Sequence, residues 1–361
     1  MSKRMLTAAL AALALAGCGK PAATPPAASP DSQAAAPAPA SDELQTRAAA
    51  LFRPLPAEMT SERNPLTEAK VSLGRMLYFD TRLSRNQELS CNSCHDLARY
   101  GVDSEATSPG FKAQRGSRNS PTTYNAALHI AQFWDGRAAD VEEQAKGPVL
   151  NPVEMAMPDG AAVVKVLKSI PGYASAFAAA FPGEADPITY DNAAAAIGAF
   201  ERRLVTPSPF DRYLEGDSAA LTAEQRTGLA TFMDVGCTTC HNGVGIGGGM
   251  YQKLGLVKPF ATSDLGREEV TKNEADKFMF KVPSLRNITE TAPYFHDGKV
   301  VTLDEAIRLM GEHQLGRSLT DAQVGEIRAF LGSLKGEIPA QYVARPELPA
   351  SGPETPKADK G

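Results

Sequence analysis

Apolar residues return at three- and four-residue intervals through much of the chain, the spacing of helices that bury one face. The segments run Asp140 to Lys146, Ala161 to Ser169, Ala174 to Phe181, Asp191 to Leu204, Ala223 to Met233, Leu303 to Met310 and Asp321 to Leu334. Start signals accompany the last two. Thr302 precedes Asp304 and Glu305, and Thr320 precedes Asp321, so each puts a hydroxyl before an acidic first turn. Alternating runs of β-branched residues are nearly absent, and the expected fold is mainly α.

The two ends break this pattern. Residues 1–18 carry Lys3 and Arg4 before an apolar Ala/Leu stretch that closes on Leu15-Ala16-Gly17-Cys18. This reads as a secretory signal ending in a lipobox, with Cys18 acylated after cleavage; ordinary cleavage beside a spare cysteine is the alternative. The apolar run is too short to span a bilayer, whereas two acyl chains anchor stably. Gly19 stands where an inner-membrane retention aspartate would be, which favours the periplasmic side of an outer membrane. Residues 19–45 are largely Pro, Ala, Ser and Thr and read as an extended linker. Residues 337–361 form a second Pro-rich, charged tail. The body between them divides into an expected N-terminal domain at 46–205 and a C-terminal domain at 206–336. A formal net charge of −5 argues for no nucleic-acid partner.

Composition changes the picture through cysteine. Of five cysteines, Cys91 and Cys94 precede His95, and Cys237 and Cys240 precede His241. C-x-x-C-H is the attachment site of a c-type haem: two thiols one helical turn apart reach one porphyrin edge, and the imidazole takes the iron. A lone C-x-x-C also serves redox dithiols and zinc sites. Two complete motifs, with no cysteine left for a disulfide, favour two covalent haems c.

An internal repeat houses them. Pro121, Asn125, Phe133, Asp135 and Gly136 recur at the same mutual spacings as Pro283, Asn287, Phe295, Asp297 and Gly298, and each set follows a C-x-x-C-H. A duplicated cytochrome c-like unit follows. The halves then diverge. Met310 is placed to close the sixth position of the second iron, which raises its potential and suits electron storage. The matching position in the first half is Pro148, which cannot ligate, and the next notable residue is Glu154, a carboxylate suited to acid/base work over an open iron. Trp134, the single tryptophan, stands where the other half has His296. It reads either as a core aromatic or as an electron bridge at the seam, and the seam favours the bridge.

With these blocks, together with Arg118-Asn119-Ser120-Pro121-Thr122, Asn151-Pro152-Val153-Glu154-Met155 and Pro293-Tyr294-Phe295-His296-Asp297-Gly298, residues 50 to 340 resemble the bacterial dihaem cytochrome c peroxidases, the family that includes the MauG-like enzymes. The resemblance implies that the haem on Cys91, Cys94 and His95 is the peroxidatic one. The haem on Cys237, Cys240 and His241, with Met310 as sixth ligand, would accept electrons. It also implies that Glu154 is the distal acid/base with Gln144 as neighbouring amide, that Trp134 lies between the haems, and that Asn119 with the carbonyls of Thr291 and Pro293 holds a calcium ion at the seam. The implied reaction reduces hydrogen peroxide to water with electrons from a small cytochrome c or cupredoxin. Such relatives often form a homodimer. The usual family histidine in the loop before Arg118 is replaced by Phe111, so the first haem is expected to be open as purified, with reductive activation weakened or absent. His129 reads as a satisfied structural histidine, and His313 as a lesser alternative to Met310. Two other readings remain: a MauG-like enzyme that oxidises a partner protein, which would place tyrosine at Met310, and a non-enzymatic electron carrier or redox sensor.

Overall fold

In the computed structural model, which describes residues 43–360, helices carry nearly all the regular structure. The signal and lipobox at 1–18 and the linker up to Asp42 lie outside the described residues. The helices are α1 (Glu43–Leu51), α2 (Glu68–Phe79), the single turn α3 (Cys91–Cys94), α4 (Val141–Leu150), α5 (Gly160–Lys168), α6 (Pro171–Ala180), α7 (Tyr190–Glu201), α8 (Pro209–Leu214), α9 (Ala223–Val235), α10 (Glu268–Thr271), α11 (Leu303–Leu315), α12 (Asp321–Gly332) and α13 (Ala340–Val343). Among the described residues one small sheet pairs β1 (Tyr251–Lys253) antiparallel with β2 (Met279–Lys281), Tyr251 opposite Lys281. The mainly α expectation holds, and the caps foreseen at Thr302 and Thr320 accept from the backbone N–H of Glu305 and Gln323.

Two hydrophobic clusters organise the chain. The first joins Leu73, Leu77 and Tyr78 of α2 to Ala196 and Phe200 of α7 and to Val163, Tyr173 and Phe177. The second joins Leu229 and Phe232 of α9 to Ile327 and Phe330 of α12, with Phe210. The same crossing is built twice. A Cβ on Gly74 would strike the Ala196 carbonyl and Phe200, and a Cβ on Gly228 would strike the Glu326 carbonyl and Phe330. Glycine therefore lets α2 lie on α7, and α9 on α12, at backbone contact. This also explains why the periodicity of α2 is faint: the helix is buried on several sides and carries a glycine in its middle.

The repeat is reproduced turn by turn. Asn125 and Asn287 both have φ 61°, Phe133 and Phe295 have φ 66° and 67°, and each half closes a bridge, Gln132 with Ala138 and Tyr294 with Val300. Helices α4 and α11 start alike, capped by Asp140 and Thr302. Pro148 and Met310 therefore occupy equivalent positions.

Both ends differ from expectation. Helix α1 begins at Glu43, inside the stretch assigned to linker, and Gln45 is buried, its amide donating to the Tyr213 carbonyl. Ala48 and Phe52 pack in the second cluster, although they precede the first in sequence. The described part of the tail, 337–360, is laid along the first half: Tyr342 meets Phe200 edge-on, Arg82 donates to the Pro349 carbonyl, and Asp359 pairs with Arg85.

Candidate active site

The second motif sits where α9 ends. Gly236 takes φ 104° to stop the helix, and Cys237 to Thr239 form a short turn that brings the His241 N–H onto the Cys237 carbonyl at 3.0 Å. One large, mostly apolar cavity is lined by Cys237, Cys240, His241 and, from α11, Met310. The His241 Nδ1 lies 3.3 Å from the Ile246 carbonyl, and burial lowers the ring's pKa to about 4, which keeps it neutral as a metal ligand must be. His313 is absent from this lining. Its Nδ1 is tied to the Lys258 carbonyl at 2.9 Å and its ring meets Phe260 edge-on.

The first motif is the turn α3, started by a Ser90/Ser93 capping box, with the His95 N–H on the Cys91 carbonyl at 3.0 Å. Burial pushes the Cys94 thiol up to about 11 and the Cys91 thiol higher, and lowers the His95 pKa. Facing Cys94 electrostatically is Glu154. Burial raises the Glu154 carboxyl, and this is opposed by the Arg137 guanidinium and by a hydrogen bond from Asn151 Nδ2 to Glu154 Oε1 at 2.9 Å.

The backbone around this carboxyl is bound on every side. The Glu154 N–H donates to the Asn151 carbonyl at 3.0 Å, the Glu154 carbonyl accepts from the Phe111 N–H at 2.7 Å, and the Met155 carbonyl accepts from the Arg85 N–H at 2.9 Å. Phe111 is buried with the Arg85 guanidinium over its ring, so the loop that would carry the family's histidine is docked on Glu154's own segment. Gln144 lies on α4 one turn before Gly147 and Pro148, the face that meets Phe133.

Trp134 lines this cavity of the second motif, hereafter the second cavity, together with His296, and its Nε1–H donates to the Asn119 carbonyl at 2.9 Å. Asn119, Thr291 and Pro293 line the same cavity, while the Asn119 amide nitrogen is turned to the Glu105 carbonyl at 3.0 Å. Nearby, Arg118 ties Asp135 of the first half to Asp264 of the second.

The model of the di-haem cytochrome c peroxidase family matches residues 68–219. The chain is 49% identical over 324 residues to cytochrome c551 peroxidase of Pseudomonas aeruginosa, covering 88% of this chain and 92% of that protein. It is 47% identical over 289 residues to the enzyme of the same name in Nitrosomonas europaea, covering 79% and 85%. The chain belongs to the dihaem cytochrome c peroxidase family. The crystal structure of a MauG-like protein associated with microbial copper homeostasis superposes with a TM-score of 0.73 at 29% identity, covering 81% of this chain and 97% of that one.

For a dihaem peroxidase the residues present fit covalent haem c. Four cysteines are free thiols in two C-x-x-C pairs, each followed by a histidine whose pKa burial depresses, and one pair opens on an apolar cavity that also receives a thioether. Bound haem would supply the redox-active iron at each motif. Sequence reasoning missed three side chains of this peroxidase. Arg137, whose guanidinium lies 3.4 Å from the centre of the Phe133 ring, is the cation facing Glu154. Lys281 is buried in the second cavity. Glu201 is buried on α7 within electrostatic range of Cys91, and burial first, then neighbouring Glu142, raises its carboxyl to about 8 against the pull of Arg202. No motif marks Lys281 or Glu201, because their roles come from burial.

Glu201 carries a pH prediction. Its folded pKa lies above the unfolded value, so between the ordinary carboxylate range and about pH 8 the unfolded chain releases a proton that the folded chain keeps, and stability falls as pH rises through that window. Glu201→Gln is expected to flatten this decline. Parallel denaturant melts at pH 5.5 and 8.5 check it, and an equal decline in both proteins would show that Glu201 does not titrate in this range.

Proposed function

We propose that this dihaem peroxidase reduces hydrogen peroxide at the first motif and takes its electrons in at the second. The observation that carries the reading is the broken symmetry of the duplication: Met310 shares a cavity with His241, while its equivalent is Pro148, followed by a half-buried, rigidly held Glu154. Met310 closes the second site to substrate. At the first, Glu154 accepts the proton from one peroxide oxygen and delivers it to the other, Asn151 aims the carboxylate, and Gln144 offers a neighbouring amide. The cleavage consumes two electrons and two protons and yields two waters. Trp134, on the cavity wall beside His296, is the bridge between the two sites.

The donor in this reading is a small cytochrome c, the class that the relatives' names carry, or a cupredoxin. The presence of Asn119, Thr291 and Pro293 on one cavity wall supports calcium at the seam. The lipobox at Cys18 supports a lipid-anchored, periplasmic enzyme on the outer membrane, and dimerisation follows the family.

All five histidines are accounted for: His95 and His241 in the motifs, His129 and His296 on the second cavity, His313 on the Lys258 carbonyl. None is left to cap the first iron. The as-isolated, fully oxidised protein is therefore expected to show a high-spin first haem and to turn over peroxide without a lag. A purely low-spin oxidised spectrum, with activity appearing only after prior reduction of the second haem, would overturn this reading.

A further inference from the structure

Lys281, at the end of β2, is 6% exposed, and its N–H donates to the Trp134 carbonyl at 2.8 Å. No acidic side chain forms an ion pair with it among the described residues, and burial lowers its pKa to about 8. A buried ammonium without a counter-ion is unfavourable by several kcal/mol unless an anion meets it. Its one side-chain partner is His129, whose Nδ1 lies 3.1 Å from Lys281 Nζ. An ammonium can only donate, so Nδ1 accepts and the proton of the neutral imidazole sits on Nε2. That Nε2 is buried with no hydrogen-bond partner. A ring N–H without an acceptor and an ammonium without an anionic partner therefore lie side by side, and both residues line the cavity that holds Cys237, Cys240, His241 and Met310.

The pair is built in rather than incidental. His129 belongs to the first half, yet its ring lies on the glycine loop that follows the second motif: a Cβ on Gly248 would run into the imidazole. Ile130 N–H bonds the Gly248 carbonyl at 2.9 Å, and Gly248 N–H bonds the Val282 carbonyl at 2.8 Å. The loop, the segment carrying His129 and the end of β2 thus fix each other around the pair.

We infer that Lys281 and His129 form a carboxylate clasp for the propionate groups of the second haem, so that the first half of the chain holds the cofactor of the second. This rests on the reading above that a haem occupies this cavity. The porphyrin would be fixed at one edge by thioethers to Cys237 and Cys240 and at its acidic edge by the clasp. A cation beside the propionates stabilises the reduced, more negative haem, which agrees with the electron-storing role that Met310 also serves.

The test uses the holoprotein. The midpoint potentials of both haems are measured by spectroelectrochemistry, and the propionate bending modes by resonance Raman, in wild type, Lys281→Met, Lys281→Arg and His129→Phe. The clasp predicts that Lys281→Met lowers the potential of the second haem and shifts its propionate modes while the first haem is unmoved. Lys281→Arg should restore both, and His129→Phe should shift the modes with a smaller fall in potential. Unchanged potentials and modes in Lys281→Met and His129→Phe, with both haems covalently present by protein mass, would overturn the clasp and leave the function reading intact. A wild-type potential that moves with added phosphate or chloride at constant ionic strength would assign the donors to a free anion and also overturn it. Absence of the second haem from the protein mass would instead strike the function reading.

Discussion

Glu154→Gln is expected to keep both haems and the folded stability of the parent while peroxide turnover falls about 10²- to 10⁴-fold, the range for loss of a positioned acid/base group. The two halves of this expectation come from the same geometry. Burial raises the Glu154 carboxyl, so folding shifts it toward its neutral form relative to the unfolded chain, and glutamine is a neutral side chain of the same shape. Its carbonyl can still accept from Asn151 Nδ2, and the backbone bonds to Asn151 and Phe111 are untouched. Between the ordinary carboxylate range and the raised value, the unfolded chain ionises before the folded one, so native Glu154 loses stability with rising pH and glutamine does not. Activity runs the opposite way. Only the ionised carboxylate can take the peroxide proton, so wild-type turnover climbs with pH through this group's own pKa, and the variant should lack that limb. Steady-state assays across pH, with haem content from absorbance and stability from melts, separate the outcomes. Turnover within threefold of wild type would remove Glu154 from the proton transfer.

Much of this site could be read from the chain because its chemistry is written in residue identity at fixed spacing. Cys91, Cys94 and His95, their counterparts in the second half, and the recurring Pro, Asn, Phe and Gly of the repeat each meet a local demand. Asn125 and Asn287 show this well, asparagine being, after glycine, among the residues that best tolerate the left-handed turns both halves make. Met310 and His313 share a helix face in the sequence, and only the fold separates them, with Met310 on the cavity and His313 on the Lys258 carbonyl. What stayed hidden depends on distant partners. Helix α2 is disguised by burial on several sides and by Gly74, whose reason is the approach of α7. The C-terminal tail looks like a free end by composition, and only the arginines of a remote segment give it a place. His129, expected to be a satisfied structural histidine, has an orphaned Nε2 because its acceptor is no part of the polypeptide in this account. Lys281 reads as a surface lysine until its burial is seen.

The second large effect is expected at Thr206, where the duplication folds back on itself. The Asn125 Nδ2 and Asn287 Nδ2 groups, equivalent in the two halves, both donate to Thr206 Oγ1, at 2.8 and 2.9 Å. All three residues are buried, at 1%, 0% and 0% exposure, so water cannot replace a lost acceptor. Each asparagine is otherwise committed to further bonds. Asn125 Oδ1 accepts from the Thr206 N–H and its N–H binds the Leu204 carbonyl, while Asn287 Oδ1 accepts from the Gly336 N–H and its N–H binds the Leu334 carbonyl. Neither amide can turn to a new partner without breaking these bonds. Thr206→Val keeps the volume and strands two buried donors, each worth about 1–3 kcal/mol, so unfolding free energy should fall by roughly 2–5 kcal/mol. Thr206→Ser keeps the oxygen and should stay within about 1 kcal/mol of wild type. Denaturant melts of the three proteins decide it, because a valine variant as stable as the parent would mean that the shared hydroxyl does not join the halves. The valine variant should also slow electron passage from the second haem to the first, read by rapid-mixing absorbance after peroxide addition, since Asn125 and Asn287 each anchor the segment leading to Trp134 or His296 on the cavity between them.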